Sequence, residues 1–302
     1  MIDMVRLQTL VTVARTGSFS AAARVLHVSQ PAVSRQMAML ERQLGSRLLV
    51  RAHGGVQPTQ AGQLLVDHAT AALDRLTLAE QQVQALAAEH RGNVRLGSFF
   101  SALIYLSAEV AALIGELDPE LLIRDDLVDP GTAHAKLSRG ELDLALVFEH
   151  DFAPAAVPDT LTVKRLFDDP VKILLPATHR LAQSAIIDPA ELSGETWIRA
   201  HDGSAADLAE HILARHRLDP PRLMAGHGDE PVETQALVAA GRGVTLTHDL
   251  TVIMDRHNLL TRPLDGERFV RRISVSYASG PLAPAVQTVL DAIQRVGRHH
   301  QR

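Results

Sequence analysis

Residues 19–45 read FSAAARVLHVSQPAVSRQMAMLERQLG, and this stretch decides the fold of the N-terminal part of the chain. Phe19, Ala22, Ala23 and Leu26 recur at i, i+3, i+4 and i+7, the spacing of one helix face. His27 and Val28 make a turn. Ser29 is placed to cap a second helix, with Pro31 in its first turn, where a missing N–H costs little. Val33, Met37, Leu40 and Leu44 then face inward, and Ala32, Ser34, Arg35, Ala38 and Arg42 are left outside. Upstream, Leu7, Leu10, Val11 and Ala14 repeat the pattern on a helix that Gly17 ends, and Ser18 can cap the next helix. Downstream, Leu48, Leu49, Val50 and Arg51, a Gly54-Gly55 turn, and Val56 and Gln57 predict a two-stranded wing with Arg51 at its edge.

The outward face suits a DNA groove. Gln30 and Ser34 offer short donor–acceptor groups to base edges, and Arg35 offers a charge for phosphate or a fork for guanine. Small Ala32 and Ala38 let the helix approach closely, and Ser20, Ser29 and Pro31 complete the candidate DNA-facing set. A three-helix structural bundle with a solvated face is the competing reading. Charge favours the first. The 302 residues carry a net charge of −5, but residues 1–58 hold seven arginines against Asp3 and Glu41, a net of +5, and the remainder carries −10. A basic head on an acidic body is expected where one domain alone meets phosphate.

Thr59 is placed to cap a long helix running to about Glu89. Along it Leu65, Ala69, Ala72, Leu76, Ala79, Val83 and Leu86 follow a 4-3-4-3-4-3 spacing, the a/d seam of a coiled coil. An ordinary amphipathic helix packed on its own domain is the alternative. A dimer is the expectation, because a helix-turn-helix usually reads paired half-sites. After Gly92 the pattern changes to short β-rich runs alternating with helices. Val94–Gly97, Leu121–Ile123, Leu144–Phe148, Val171–Leu175, Trp197–Arg199, Val244–Leu246 and Ile273–Tyr277 read as strands. Ala102–Ile114, Thr132–Arg139, Asp207–Arg217, Val232–Ala240 and Pro284–Val296 read as helices. Such alternation predicts mostly parallel, doubly wound sheets.

Four motifs in order resemble the LysR-type transcriptional regulators. Phe19-Ser20-Ala21-Ala22-Ala23 with Ser29-Gln30-Pro31-Ala32-Val33-Ser34 matches the family's helix-turn-helix signature. Leu40-Glu41-x-x-Leu44-Gly45-x-x-Leu48 and Thr59-x-x-Gly62 match its continuation into wing and linker. Gly140-Glu141-Leu142-Asp143-Leu144-Ala145 and Leu237-Val238-Ala239-Ala240-Gly241-x-Gly243-Val244 look like its two effector-domain signatures. The resemblance is dense over the first 65 residues and looser beyond. It implies a winged helix-turn-helix at 1–58, a linker and dimerisation helix at 59–91, and an α/β effector domain at 92–302 resembling periplasmic binding proteins. The domain would have two lobes joined by two crossings, lobe I from 92–163 with 268–302 and lobe II from 164–267. The implied partners are double-stranded DNA, a small-molecule effector, a second copy of the chain (with a homotetramer expected), and RNA polymerase if the protein activates.

In open parallel sheets ligands bind beyond the carboxyl ends of the strands, so a ligand is expected between the lobes. The candidate effector contacts are Ser98, Phe99, Phe100 and Ser101 after the first strand, Val128 and Asp129, His201 and Asp202, His227, and Thr247. Asp125, Asp126, Asp129, Asp202, Asp229 and Glu230 on the same loops would repel an anion unless they cap helices. The expected ligand is therefore polar but not a simple carboxylate. Many members of the family take small carboxylates, and the acidic loops depart from that pattern.

Other chemistries find no pattern here. Zero cysteines exclude disulfides and thiolate metal sites. H-E-x-x-H, G-x-S-x-G and S-x-x-K are absent, and Gly241-Arg242-Gly243 lacks the third glycine of a dinucleotide loop. No catalytic residue, metal or cofactor is expected. No apolar run is read as long enough to span a membrane, and Arg6 and Arg15 interrupt any signal-peptide pattern, so a cytoplasmic protein with no membrane contact is expected. A ligand-binding protein or enzyme with an appended DNA-binding head is the alternative reading of the whole.

Overall fold

The computed structural model describes residues 2–52, 55–87, 92–154, 156–199, 204–216, 222–225, 231–251, 258–266 and 269–301. They form two compact units, one ending with the long helix and the other starting at the strand after it.

The first unit contains α1 (Met4–Thr16), α2 (Phe19–Val25), α3 (Gln30–Leu44), β1 (Leu49–Ala52), β2 (Gly55–Pro58) and α4 (Gln60–Ala87). Capping explains the breaks. Asp3 accepts from the Val5 N–H, and Gly17 closes α1 in the left-handed region at φ 65°. Ser18 accepts from the Ala21 N–H. His27, the only non-glycine residue at positive φ among those described (54°), carries the turn between α2 and α3. Ser29 occupies the N-cap position of α3, but its hydroxyl makes no capping bond; its carbonyl accepts from Ala32 and Val33 instead. The core is Leu10, Val13, Ala22, Ala23, Val33, Met37, Leu40, Leu48 and Leu49. Two expectations shift. In α1 the buried positions are Leu7, Thr9, Leu10, Thr12 and Val13 rather than Val11 and Ala14. Leu44 is exposed, because Gly45 ends the helix there and turns the chain away. The wing is antiparallel, Arg51 opposite Val56; its Gly54 lies outside the described residues.

The upper turns of α4 belong to this body. Leu65 and Val66 pack on the core, and Ala69 is buried. Two seven-residue-repeat positions are thus spent on the helix's own domain. Further along, Leu76 and Val83 are exposed, 48% and 65%, as are Ala72 and Ala79. The side chain of Leu86 lies outside the described residues.

The second unit contains β3 (Asn93–Ser98), α5 (Phe100–Ala102), a π-helical turn (Leu103–Ser107), α6 (Ala108–Leu117), β4 (Leu122–Leu127), α7 (Pro130–Ser138), β5 (Leu144–His150), β6 (Leu161–Pro176), β7 (Thr196–Arg199), α8 (Ser204–Arg215), β8 (Arg222–Ala225), α9 (Pro231–Ala239), β9 (Thr245–His248), β10 (Leu259–Pro263), β11 (Val270–Ala278) and α10 (Pro284–His299). Lobe I is a sheet in the order β6-β11-β5-β3-β4. Its main core, with Leu96, Leu106, Ile114, Leu146, Ile273 and Ile293, lies under α6 and α10. A smaller core under α7 joins Val128, Leu137, Leu142 and Val147. Lobe II pairs the far half of β6 with β9 and β10 around Ile173, Leu175, Leu192 and Trp197.

The sheets are mixed rather than mostly parallel. β3 runs parallel to β4 and β5, and β7 to β8, since helices connect them. β11 is antiparallel to both β5 and β6, because it enters lobe I from lobe II. β6 is also longer than the expected 171–175. It pairs with β11 as far as Pro170 and with β9 and β10 from Val171 or Lys172 onward. The ladder partners of β6 therefore change at 170/171, where Pro170 has no N–H to give a ladder. The helical run Phe100–Leu117 corrects the membrane expectation on length: it is long and apolar enough to cross a bilayer. Here Leu106, Val110 and Ile114 pack on the sheet instead.

A tight crossing sets one requirement on sequence. The Leu48 carbonyl accepts from the Thr59 N–H at 2.9 Å, while Thr59 Oγ1 accepts from the Gly62 N–H at 3.0 Å. A Cβ on Gly62 would lie 1.9 Å from that carbonyl oxygen. Gly62→Ala is expected to cost the first unit about 2 kcal/mol through forced displacement of α4, measured on the full chain by urea unfolding followed by helical circular dichroism.

Candidate DNA-binding and effector sites

On the N-terminal unit, Ser20, Ser29, Gln30, Pro31, Arg35 and Arg51 are exposed, and Ala32 and Ser34 are half-buried. Gln30 Nε2 donates to Ser34 Oγ at 2.9 Å, so the two polar side chains at the head of α3 form one short hydrogen-bonded unit one turn apart. The wing's position is fixed by Glu41, whose Oε1 accepts from the N–H groups of Leu48 and Leu49 at 2.8 and 3.2 Å. Sequence reasoning used Glu41 only as part of a motif. The available signal was a carboxylate one turn before a glycine stop, close in sequence to strand N–H groups that need acceptors. Thr9 Oγ1 likewise ties α1 to Gln36 of α3.

In the C-terminal unit the candidate residues separate into three groups. His201, Asp202 and His227 lie outside the described residues, as do Asp229 and Glu230. Ser98, Phe99 and Val128 are buried and serve lobe I. Ser98 Oγ is 2.8 Å from Ser107 Oγ and donates to Asp125 Oδ1 at 3.3 Å. Burial pushes the Asp125 carboxyl up, with these two hydroxyls opposing the shift. Val128 packs under α7. Phe99 meets Phe148 edge-on at 4.8 Å. Asp129 caps α7, its Oδ1 accepting from the Gly131 N–H at 2.7 Å, which answers for that residue whether the acidic loops cap or face a ligand. The third group is Phe100 and Ser101, in α5 just after β3 of lobe I, and Thr247 on β9 of lobe II.

Ser101 is held by a residue that sequence reasoning passed over. Arg271, fully buried on β11, donates to Asp169 Oδ2 at 2.5 Å and to Ser101 Oγ at 3.2 Å, and reaches Thr251 Oγ1 at 3.5 Å. Its guanidinium lies 5.1 Å from the ring centres of both Phe99 and Phe148. Asp169, directly opposite on β6, also accepts from the Asp249 N–H. One ion pair thus touches lobe I, lobe II and both strands that join them. Burial pushes the Asp169 carboxyl up and the Arg271 guanidinium down, and their contact opposes both shifts. His248 stacks on His150 at 5.6 Å. Burial, followed by Arg271 and His150, pushes the His248 imidazole well down, so it is neutral near pH 7. The pair left a trace in the sequence: the adjacent doublets Asp168-Asp169 and Arg271-Arg272, of opposite charge, on two strands that also carry apolar runs.

With this geometry in view, comparisons place the chain. Residues 4–63 match the bacterial regulatory helix-turn-helix proteins of the lysR family, and residues 87–298 match the LysR substrate binding domain. The chain belongs to the LysR family. Among LysR relatives, the Hca operon transcriptional activator HcaR of Escherichia coli strain K12 is 27% identical over 296 residues, 97% of each chain. The small neutral protease regulatory protein of Streptomyces coelicolor is 31% identical over 298 residues, 96% of this chain and 91% of the relative. The crystal structure of full-length BenM shares the fold with a TM-score of 0.60 at 22% identity, over 99% of this chain and 98% of that one. This is a LysR-type transcriptional regulator, with an N-terminal helix-turn-helix domain and a C-terminal effector-binding domain; its relatives are regulators and not enzymes.

Removing one member of a buried ion pair leaves the other charge uncompensated and typically costs about 3–5 kcal/mol, whereas replacing both with apolar groups is near neutral. Arg271→Met should destabilise lobe II's attachment by that amount, and Arg271→Met with Asp169→Leu should recover most of it. The chain's only tryptophan, Trp197, is buried in lobe II, and its fluorescence in urea reads both variants.

Proposed function

We propose that this LysR-type regulator reads an operator with the head of α3 and the edge of the wing. The face formed by exposed Gln30 and Arg35 with half-buried Ser34 carries the reading. Arg35 and Arg51 contact phosphate or guanine, Gln30 and Ser34 address base edges, and Ser20, Ser29, Pro31 and Ala32 border the contact. The unit works as a homodimer through the α4 positions Ala72, Leu76, Ala79, Val83 and Leu86, with two dimers forming a tetramer. Exposure of Leu76 and Val83 on a helix whose upper turns are already packed supports this. The effector binds between the lobes, near Phe100, Ser101, His201, Asp202, His227 and Thr247, and shifts the lobes' arrangement. Where it activates, it does so through RNA polymerase. It acts in the cytoplasm and catalyses no reaction.

Arg35→Ala should weaken operator binding at every salt concentration and flatten the plot of log affinity against log salt by about one unit for each phosphate left unneutralised. Gln30→Ala and Ser34→Ala should change sequence preference more than non-specific affinity. Titration of labelled duplexes at several salt concentrations measures both; an unchanged slope and affinity for Arg35→Ala would place α3 outside the groove.

Leu76→Asp puts a charge at a seam position and should convert the oligomer to monomer in sedimentation velocity. Leu65→Asp, by contrast, should unfold the N-terminal unit, since Leu65 packs on its core.

A further inference from the structure

A cavity of about 840 Å³ opens on the α7 side of the lobe I sheet. Its floor is Val147 and Glu149 of β5, Val163 of β6, and Arg272 and Ser274 of β11. Its rim runs from Asp129 and His134 at α7 to the segment bearing Phe152, Pro154, Val157 and Pro158. Phe148 and His150 also line it, but none of Ser98, Ser101 or Thr247 does, and Arg271, next along the strand from Arg272, points to the other face of β11, against the Phe99 and Phe148 rings. The volume falls in the range of small-molecule sites, and apolar walls with a few polar groups are common to such sites.

The polar groups select a charge. Two carboxylates, Asp129 and Glu149, line the space with one guanidinium, Arg272, which Glu149 already holds at 3.0 Å. His134 adds an acceptor. Burial pushes its imidazole down, opposed by a hydrogen bond to the Ala156 backbone and by Glu149, so it is neutral near pH 7, and its buried Nε2 has no partner among the described residues. A bound anion would meet excess negative charge, and a bound N–H donor would meet acceptors. We propose that this cavity is a ligand site of lobe I, separate from the inter-lobe cleft, which takes a small amine carried on an apolar, ring-bearing body. The amine lies toward Glu149 and Asp129, and the body lies against Val147, Val163 and the proline-bearing segment.

The site is wired to the other lobe. Phe152, in its rim, stacks on His211 of α8 with ring centres 4.1 Å apart and planes 7° apart, and packs with Val171, Leu208, Ile212 and Phe269. A ligand that packs against Phe152 therefore bears on lobe II without entering the cleft.

Calorimetry on the full-length, DNA-free protein tests this with three probes of one size, 2-phenylethylamine, 2-phenylethanol and 3-phenylpropionate. The amine should bind at least tenfold tighter than the carboxylate. Glu149→Gln should erase that preference or reverse it, because Arg272 is released to meet an anion. Asp129→Asn, at an exposed position, should weaken the amine severalfold even if Glu149→Gln fails to fold. Val163→Phe should abolish amine binding by filling the floor, with Ser101→Ala leaving it intact. Absence of amine binding, a carboxylate preference in the unaltered protein, or amine binding abolished in Ser101→Ala and kept in Val163→Phe would overturn the proposal. Because no DNA is present, failure here leaves the operator-reading proposal standing.

Discussion

The C-terminal half of the chain depends on one contact, the buried pair of Arg271 and Asp169 across β11 and β6. Water is replaced around both charges, and the cost of that desolvation is met only because the rest of the site is arranged for it. Two aromatic faces lie at cation–π distance from the guanidinium, the Asp249 N–H is donated to the carboxylate, and Ser101 takes another guanidinium hydrogen. Each of those partners has a second job. Phe99 and Phe148 belong to the main core of lobe I, and Asp249 with Thr251 forms the short 3-10 turn after β9 in lobe II. A displacement of either lobe therefore changes the surroundings of a charge that has no water to fall back on, which favours discrete arrangements over a continuum.

The N-terminal unit rests on a different kind of constraint, that of chain geometry. Three caps, a histidine in the left-handed region and a glycine at a helix crossing fix where each helix begins and ends. Here sequence was a good guide, because the determinants are local. Ser18, Gly17, Pro31 and Gly45 act on neighbours within four residues, and the apolar spacing in α3 has a period that α-helices alone satisfy. The same locality explains the misjudged positions. Leu44 keeps the helical spacing but falls in the last turn before Gly45, where no partner lies beneath it. The buried face of α1 includes Thr9 and Thr12, which return their hydroxyls to backbone carbonyls of the preceding turn and so bury like apolar residues.

Legibility fell in the effector domain wherever a determinant was distant in sequence. The β–α alternation was plain, and the strands at Val94, Leu144 and Val171 were read from apolar runs, interrupted by Arg95 and Lys172 in the first and last. The extension of β6 back to Leu161 was not, since Thr162, Val163, Lys164 and Arg165 look like a solvated loop; they face solvent and the cavity while their backbone completes a ladder with β11. The antiparallel sense of β11 follows from the order in which lobes are visited, which no local pattern carries. The candidate site was half visible for the same reason. Phe100, Ser101 and Thr247 were proposed from the rule that ligands meet strand ends, while Arg271 and Asp169, 102 residues apart, could be paired only in space.

The uninterrupted course of β6 has a mechanical consequence. A loop joining two bodies lets them separate in any direction, but a strand with neighbours bonded along both halves does not. Such a ribbon is stiff in the plane of its hydrogen bonds and soft to torsion about its own axis, the deformation already present in every native sheet. Of the deformations of β6, rotation about its own axis is thus the one its hydrogen bonds resist least, and Pro170, with no N–H to give, stands where the ladder changes partner. A rotation of a few degrees there would become ångströms at the rims of both lobes, and it has a sense, clockwise or counter-clockwise, that a simple opening angle lacks.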